Sequence, residues 1–101
     1  MLIQLENVKQ FDEEIKEGVV LVDFFASWCG PCKMLGPVLE AVANEVPEAK
    51  IVKVNVDEFP QLASKFSVYS IPTLVLFKNG KAVATHVGFI NKEPLKKFIA
   101  Q

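Results

Sequence analysis

Residues 19–32 read VVLVDFFASWCGPC and are the most informative segment of the sequence for predicting the fold. Its first seven residues are apolar except for Asp23, a pattern typical of a parallel strand that is covered on both faces. Helical spacing begins after the cysteines, with an apolar stripe at Leu35, Val38, Leu39, Val42 and Val46. The two cysteines are therefore predicted to lie where a buried strand leads into a helix.

The remaining elements alternate around this unit in the order βαβαβαββα. Strands are predicted at Leu2–Leu5, Ile51–Val56, Thr73–Phe77 and Ala82–Val87, with helices after Asn7, within Asp57–Phe66 and from about Asn91. The Asn79-Gly80 pair between two apolar runs predicts a β-hairpin. We expect an α/β fold in one domain, residues 1–101: a central mixed five-stranded sheet, parallel in its first half, flanked by four helices.

Composition narrows the classes of function. The chain has 101 residues, half of them hydrophobic, and a net charge of -1 with eleven Lys and no Arg. Nucleic acid is therefore a poor candidate partner. No secretory signal is recognisable, and no apolar run approaches the roughly 20 residues that span a bilayer. We expect a cytoplasmic protein without a membrane partner, in which two cysteines are reactive or metal-binding.

The spacing of Cys29 and Cys32 suits reversible disulfide chemistry. The start of a helix stabilises an anion, so Cys29 should have a lowered pKa, be the more accessible thiol and act as nucleophile. Pro31 fits the first helical turn, and Gly30 leaves the approach to Cys29 open. Two alternatives stay open: a zinc site, for which His86 is the only other soft donor, and a structural disulfide, which would close too short a loop to stabilise much.

Three segments carry a resemblance to a known family: FASWCGPCKM at 25–34, SIPT at 70–73 and FKNGK at 77–81. Together with the Asp23 strand they closely resemble the thioredoxin family over essentially the whole chain. The resemblance implies a reducing protein-disulfide reductase with no bound cofactor, in which Cys29 attacks and Cys32 resolves. The chain departs from many bacterial members in having Phe25 where Trp is common and Gly36 where a larger residue is common.

The same resemblance implies partners. A flavin-containing thioredoxin reductase would supply electrons from NADPH, and clients would include ribonucleotide reductase, peroxiredoxin and methionine sulfoxide reductase. We expect a monomer.

Two charged residues are predicted to support the cysteines. Burial should raise the pKa of Asp23, and the resemblance implies that this carboxyl exchanges a proton with Cys32; the alternative is a strand-end carboxylate that faces solvent. Lys53 lies on the strand expected beside Asp23 and could pair with it, or it could be an ordinary edge lysine.

The resemblance also implies a substrate groove formed by Trp28, Ile71, Pro72 and Gly88. The Ile71-Pro72 bond would be cis, although the sequence alone favours trans. Trp28 is otherwise a core aromatic, and Gly88 otherwise a simple turn glycine. His86 is predicted to face solvent from an edge strand, and five phenylalanines are predicted to form core: Phe11, Phe24, Phe66, Phe77 and Phe98.

Two other functions remain as alternatives. A glutathione-dependent glutaredoxin would share the chemistry, but that family usually carries an aromatic residue where this chain has Gly30-Pro31. A redox-independent binding subunit, such as a chaperone or a polymerase clamp, would use the groove alone.

Overall fold

The strand at the centre of the sheet is β2 (Val19–Phe25), whose five middle residues are all buried. The computed structural model describes residues 1–101. β2 runs parallel to β3 (Ala49–Asn55) and antiparallel to β4 (Thr73–Lys78). The edge strands are β1 (Leu2–Gln4) and β5 (Lys81–Val87), so the spatial order is β1-β3-β2-β4-β5. The predicted mixed sheet of five strands is confirmed.

Four helices cover the two faces of the sheet. They are α1 (Val8–Ile15), α2 (Gly30–Glu45), α3 (Pro60–Lys65) and α4 (Lys92–Ala100). α1 and α3 pack on one face over a cluster that includes Phe11, Phe24 and Phe77, while α2 and α4 pack on the other around Leu35, Leu39 and Leu95. Both faces of β2 are thereby buried, which explains its nearly unbroken apolar sequence. No helix is both long and apolar enough to span a bilayer.

The predicted N-cap of α1 and the predicted hairpin turn are both present in the structure. The Asn7 side chain accepts a hydrogen bond from the Gln10 amide at 2.9 Å and caps α1. Asn79 and Gly80 have φ of +50° and +86°, the left-handed conformations of a type I′ hairpin turn. The Asn79 side chain also accepts a hydrogen bond from the Gly18 amide at 2.9 Å, which ties the turn to the start of β2.

The expectation that His86 faces solvent is wrong. His86 is half-buried because it lies opposite Leu74, a residue on the sheet face that α2 and α4 cover. Its ring packs against Phe98 with centroids 6.1 Å apart. Of the five predicted core phenylalanines, Phe11, Phe24 and Phe77 are fully buried, while Phe66 and Phe98 are half-buried at the margins of the two clusters.

The topology brings four connections to one edge of the sheet. β2 and β3 are parallel and end there, β4 begins there, and β5 ends there. The segments around Cys29, Asp57, Pro72 and Gly88 therefore meet, although they are far apart in the chain. This is the edge of an α/β sheet where ligands ordinarily bind.

Candidate active site

Cys29 and Cys32 are joined in a disulfide at the start of α2, with their Cα atoms 5.2 Å apart. Cys29 is the N-cap residue of the helix, and its sulfur accepts a hydrogen bond from the Cys32 amide at 3.2 Å. Pro31 lies in the first turn, as predicted, where its missing N–H removes no helical hydrogen bond. The helix start thus directs an amide at the Cys29 sulfur, an arrangement that stabilises negative charge there.

The expected difference in accessibility between the two cysteines is absent. Cys29 is 5% exposed and Cys32 is 6% exposed in this oxidised protein. The disulfide packs with Ala26 in a small cluster, and the Cys29 sulfur lies 3.9 Å from the Ile71 carbonyl oxygen. Gly30, between the two cysteines, is exposed, and a Cβ added there would meet no atom within 4 Å.

The Ile71-Pro72 peptide bond is cis, as the family resemblance implied. Pro72 is buried, and its carbonyl accepts a hydrogen bond from the Gly88 amide at 2.8 Å. Gly88 has φ of +99°, a conformation that side chains disfavour, so glycine is required there by the backbone itself. Ile71 therefore contacts the disulfide, and the Pro72–Gly88 hydrogen bond joins the next residue to the end of β5.

Asp23 is buried on the sheet face that α2 covers. It is 1% exposed, and its Oδ1 atom has no hydrogen-bond partner. Burial raises the pKa of this carboxyl to about 7, against a smaller opposing effect of the Lys53 charge. The solvent-facing alternative is therefore wrong, and the predicted rise in the pKa of Asp23 is confirmed.

Lys53 is the register partner of Asp23 across the β2–β3 pair. The two side chains form no direct ion pair, because the Lys53 amine lies over the Phe25 ring, 4.5 Å from its centroid. The predicted direct pairing is thus wrong, although the Lys53 charge does lower the pKa of Asp23. Lys53 is not an edge lysine either, since β3 lies between β1 and β2.

Trp28 stands at the surface beside the disulfide. It is 69% exposed, which excludes the alternative of a core aromatic. Its indole N–H donates a hydrogen bond to the Asp57 carboxylate at 2.9 Å, and the Asp57 amide is in turn held by the Asn55 side chain at 2.9 Å. Sequence reasoning missed Asp57. The available signal was its position just after β3, because parallel neighbours end at the same edge of a sheet.

No group of three or more His, Cys, Asp and Glu side chains is placed to hold a metal ion. The two sulfurs that a zinc site would need are bonded to each other. What the arrangement offers is a sulfur–sulfur bond at the start of α2 and a buried titratable carboxyl on β2, the strand that leads into that helix.

Comparisons with known proteins agree with this arrangement. The thioredoxin family model matches residues 2–101. Thioredoxin of Chlamydia trachomatis is 51% identical over 100 residues, which cover 99% of this chain and 98% of that protein. Thioredoxin of Bacillus subtilis is 51% identical over 98% of this chain and 96% of its own length. A mutant thioredoxin from Halobacterium salinarum superimposes with a TM-score of 0.91 at 40% identity, over 97% of this chain and 87% of that one.

Proposed function

The chain belongs to the thioredoxin family and is a thiol-disulfide oxidoreductase, and we propose that it reduces disulfide bonds in protein clients through a cycle of Cys29 and Cys32. The observation that carries the proposal is the disulfide at the amino end of α2, with the Cys29 sulfur capping the helix. A sulfur in that position is a stabilised thiolate in the reduced protein, and the thiolate is the nucleophile of disulfide exchange.

The cycle has two exchange steps. The Cys29 thiolate attacks one sulfur of the client disulfide, forms a mixed disulfide and releases the other client sulfur as a thiolate. The Cys32 thiolate then attacks the Cys29 sulfur, closes the intramolecular disulfide and releases the second client sulfur. The client gains two electrons and, after protonation, two protons, while the Cys29 and Cys32 pair loses two electrons.

Asp23 is the proposed proton carrier for Cys32. The Cys32 thiol must lose a proton before the second step, and a carboxyl with a pKa of about 7 exchanges protons readily near neutral pH. Lys53 is the proposed modulator, because its charge favours the ionised form of Asp23 from the neighbouring strand.

Client binding is proposed to use the surface next to the sulfurs. Trp28 would form one wall of the groove, and the backbone of Ile71, Pro72 and Gly88 the other. The Ile71 carbonyl oxygen, 3.9 Å from the Cys29 sulfur, supports this assignment, and the hydrogen bond from the Gly88 amide to the Pro72 carbonyl joins the other two residues to the same segment.

Reduction of the Cys29–Cys32 disulfide back to two thiols requires an electron donor outside this chain. Thioredoxins bind no cofactor, and we propose that a flavin-containing thioredoxin reductase passes electrons from NADPH to the oxidised pair. The proposed clients are ribonucleotide reductase, peroxiredoxin and methionine sulfoxide reductase. We further propose that residues 1–101 act as a single domain, monomeric and cytoplasmic; the one continuous sheet supports the domain assignment.

The experiment is reduction of insulin disulfides driven by NADPH and a bacterial thioredoxin reductase. We expect turnover with the wild-type protein and none with Cys29→Ser. Replacement of the reductase by glutathione and glutathione reductase tests the glutaredoxin alternative, and turnover only with the second pair of reagents would contradict the proposal. A redox-independent binding protein would show no turnover with either donor system, and its binding activity would survive replacement of both cysteines by Ser.

A further inference from the structure

The aromatic residues of this chain divide by chemical type. None of the eight phenylalanines is exposed, whereas the one Trp and the one Tyr are among the most exposed large side chains. Trp28 is 69% exposed and Tyr69 is 89% exposed. Aromatic rings with a polar atom are the residues that most often dominate protein interfaces, because they combine a large apolar area with a hydrogen-bonding group.

The backbone on both sides of Tyr69 is held in place. The Val68 amide donates to the Ala63 carbonyl at 2.8 Å, and the Ser70 carbonyl accepts a hydrogen bond from the Thr73 hydroxyl. The Tyr69 ring itself has no hydrogen-bond or aromatic partner within the chain. A side chain presented from an anchored loop, with its apolar area still in water, loses little freedom when a partner covers it.

Tyr69 lies close to the reactive sulfur along the chain. Ile71, two residues further on, places its carbonyl oxygen 3.9 Å from the Cys29 sulfur. Two residues span at most about 7 Å, so the Tyr69 backbone lies near the contact between Ile71 and the Cys29 sulfur. A small disulfide occupies only the space at the sulfurs, whereas a protein client also covers the flanking surface.

We propose that Tyr69 is a specificity-determining residue, which together with Trp28 favours protein disulfides over small-molecule disulfides. The partner is the apolar surface of a protein that flanks its own disulfide and offers an acceptor to the tyrosine hydroxyl. This inference rests on the proposed function, since it concerns the same exchange reaction. Ile71, which packs against the disulfide, lies on the same loop as Tyr69, and this is the argument for a client protein as the occupant.

The test compares two substrates with the pre-reduced protein in stopped-flow. The substrates are insulin, a protein disulfide, and dithiobis(nitrobenzoic acid), a small one. Tyr69→Ser is expected to lower the second-order rate constant for insulin about tenfold, the effect of losing one interface anchor, and to leave the rate for the small disulfide unchanged. Tyr69→Phe should retain most of the insulin rate, because the ring supplies most of the buried area.

Val83→Ser is the matched control, since Val83 is 51% exposed on β5 and lies away from the disulfide. An unchanged insulin rate in Tyr69→Ser, a parallel loss with both substrates, or an equal loss in Val83→Ser would overturn the inference. So would a change in oligomeric state by sedimentation without a change in the insulin rate, which would assign Tyr69 to contact with a second copy. Failure of the wild-type protein with both substrates would instead contradict the proposed function.

Discussion

Two regions of the molecule differ in how their side chains are partnered. They are the aromatic cluster of Phe11, Phe24, Phe66 and Phe77 under α1, and the disulfide edge, where β2 ends and β4 begins. In the cluster four phenylalanine rings pack on one another: Phe66 and Phe77 meet edge to face at 5.4 Å, Phe11 packs against both, and Phe24 packs against Phe66. At the disulfide edge, Asp23 is buried with an unpartnered oxygen, and Trp28 and Tyr69 stand in water.

The two regions have different roles: the aromatic cluster stabilises the fold, and the disulfide edge holds the reactive groups. Packed apolar rings stabilise the folded state, whereas a buried carboxyl without a partner opposes it and rings that stay in water contribute little. Sites that break local rules of this kind are the ones expected to carry function. Changes in the cluster should therefore alter stability without altering the exchange chemistry, whereas changes at the disulfide edge should alter the exchange chemistry and, at Asp23, the pH dependence of stability.

Removal of the Cys29 sulfur is the largest expected effect. Cys29→Ser should lower insulin reduction by more than about a thousandfold, because hydroxyl oxygen cannot form the mixed disulfide. The matched variant Cys32→Ser should still attack but remain trapped as a mixed disulfide, which mass spectrometry detects. Substantial turnover by Cys29→Ser would place the chemistry elsewhere. Far-UV circular dichroism should show the same fold for both variants.

Truncation of a cluster ring should affect only stability. Phe77→Ala is expected to lower the free energy of unfolding by about 3–5 kcal/mol, since Phe77 is 1% exposed and a cavity would remain. Phe77→Leu, which keeps more of the volume, should lose much less in the same urea titration. The folded Phe77→Ala variant should react with dithiobis(nitrobenzoic acid) at the wild-type rate. A large fall in that rate would show that packing in the aromatic cluster also affects the disulfide chemistry.

Asp23 should make stability depend on pH. The carboxyl has a pKa of about 7 in the folded protein and 3.8 as a free side chain, so the folded state holds an extra proton between these two pH values. The stability that this extra proton contributes is therefore fully present below about pH 3.8 and is lost as the pH rises through 7. Since tenfold in proton affinity is worth about 1.4 kcal/mol, the loss is at most about 4 kcal/mol.

The measurement is urea unfolding of the oxidised protein from about pH 4 to about pH 9, comparing wild type with Asp23→Asn. The wild type should lose stability relative to the variant as pH rises, because Asn carries no titrating group. Parallel curves for the two proteins would show that the carboxyl is not buried as described.

Release of Trp28 from Asp57 should have the smallest effect. Asp57→Asn weakens the charge-assisted hydrogen bond to the indole, and we expect a two- to threefold lower insulin rate, about what a weakened exposed hydrogen bond is worth. Trp28 is the only tryptophan, so its fluorescence anisotropy reports the change directly. Unchanged anisotropy would show that Asp57 does not hold the ring.

The sequence predicted those features that rest on local pattern. β2, the hairpin and the start of α2 follow from residue spacing and turn chemistry within a few positions. The cis bond at Pro72 came only from family resemblance, because the intrinsic preference is trans.

What the sequence missed depends on contacts between distant segments. The Trp28–Asp57 hydrogen bond joins residues 29 positions apart, and the Phe98 ring covers His86 from another element. The burial of Cys29 and Cys32 involves residues distant in the chain, since Ile71 and Val56 pack against the disulfide. Pairing of Lys53 with Asp23 was predicted from neighbouring strands, but the Lys53 amine lies over the Phe25 ring instead.

The central claim is that the helix start makes Cys29 the more acidic thiol, and alkylation of the reduced protein across pH tests it most directly. Iodoacetamide labelling should be located by mass spectrometry at each pH, with Cys29→Ser and Cys32→Ser as single-thiol references. We predict that Cys29 reacts first and titrates below about 8.5, the value of an ordinary thiol. Preferential labelling of Cys32, or a Cys29 midpoint at or above that value, would contradict the account.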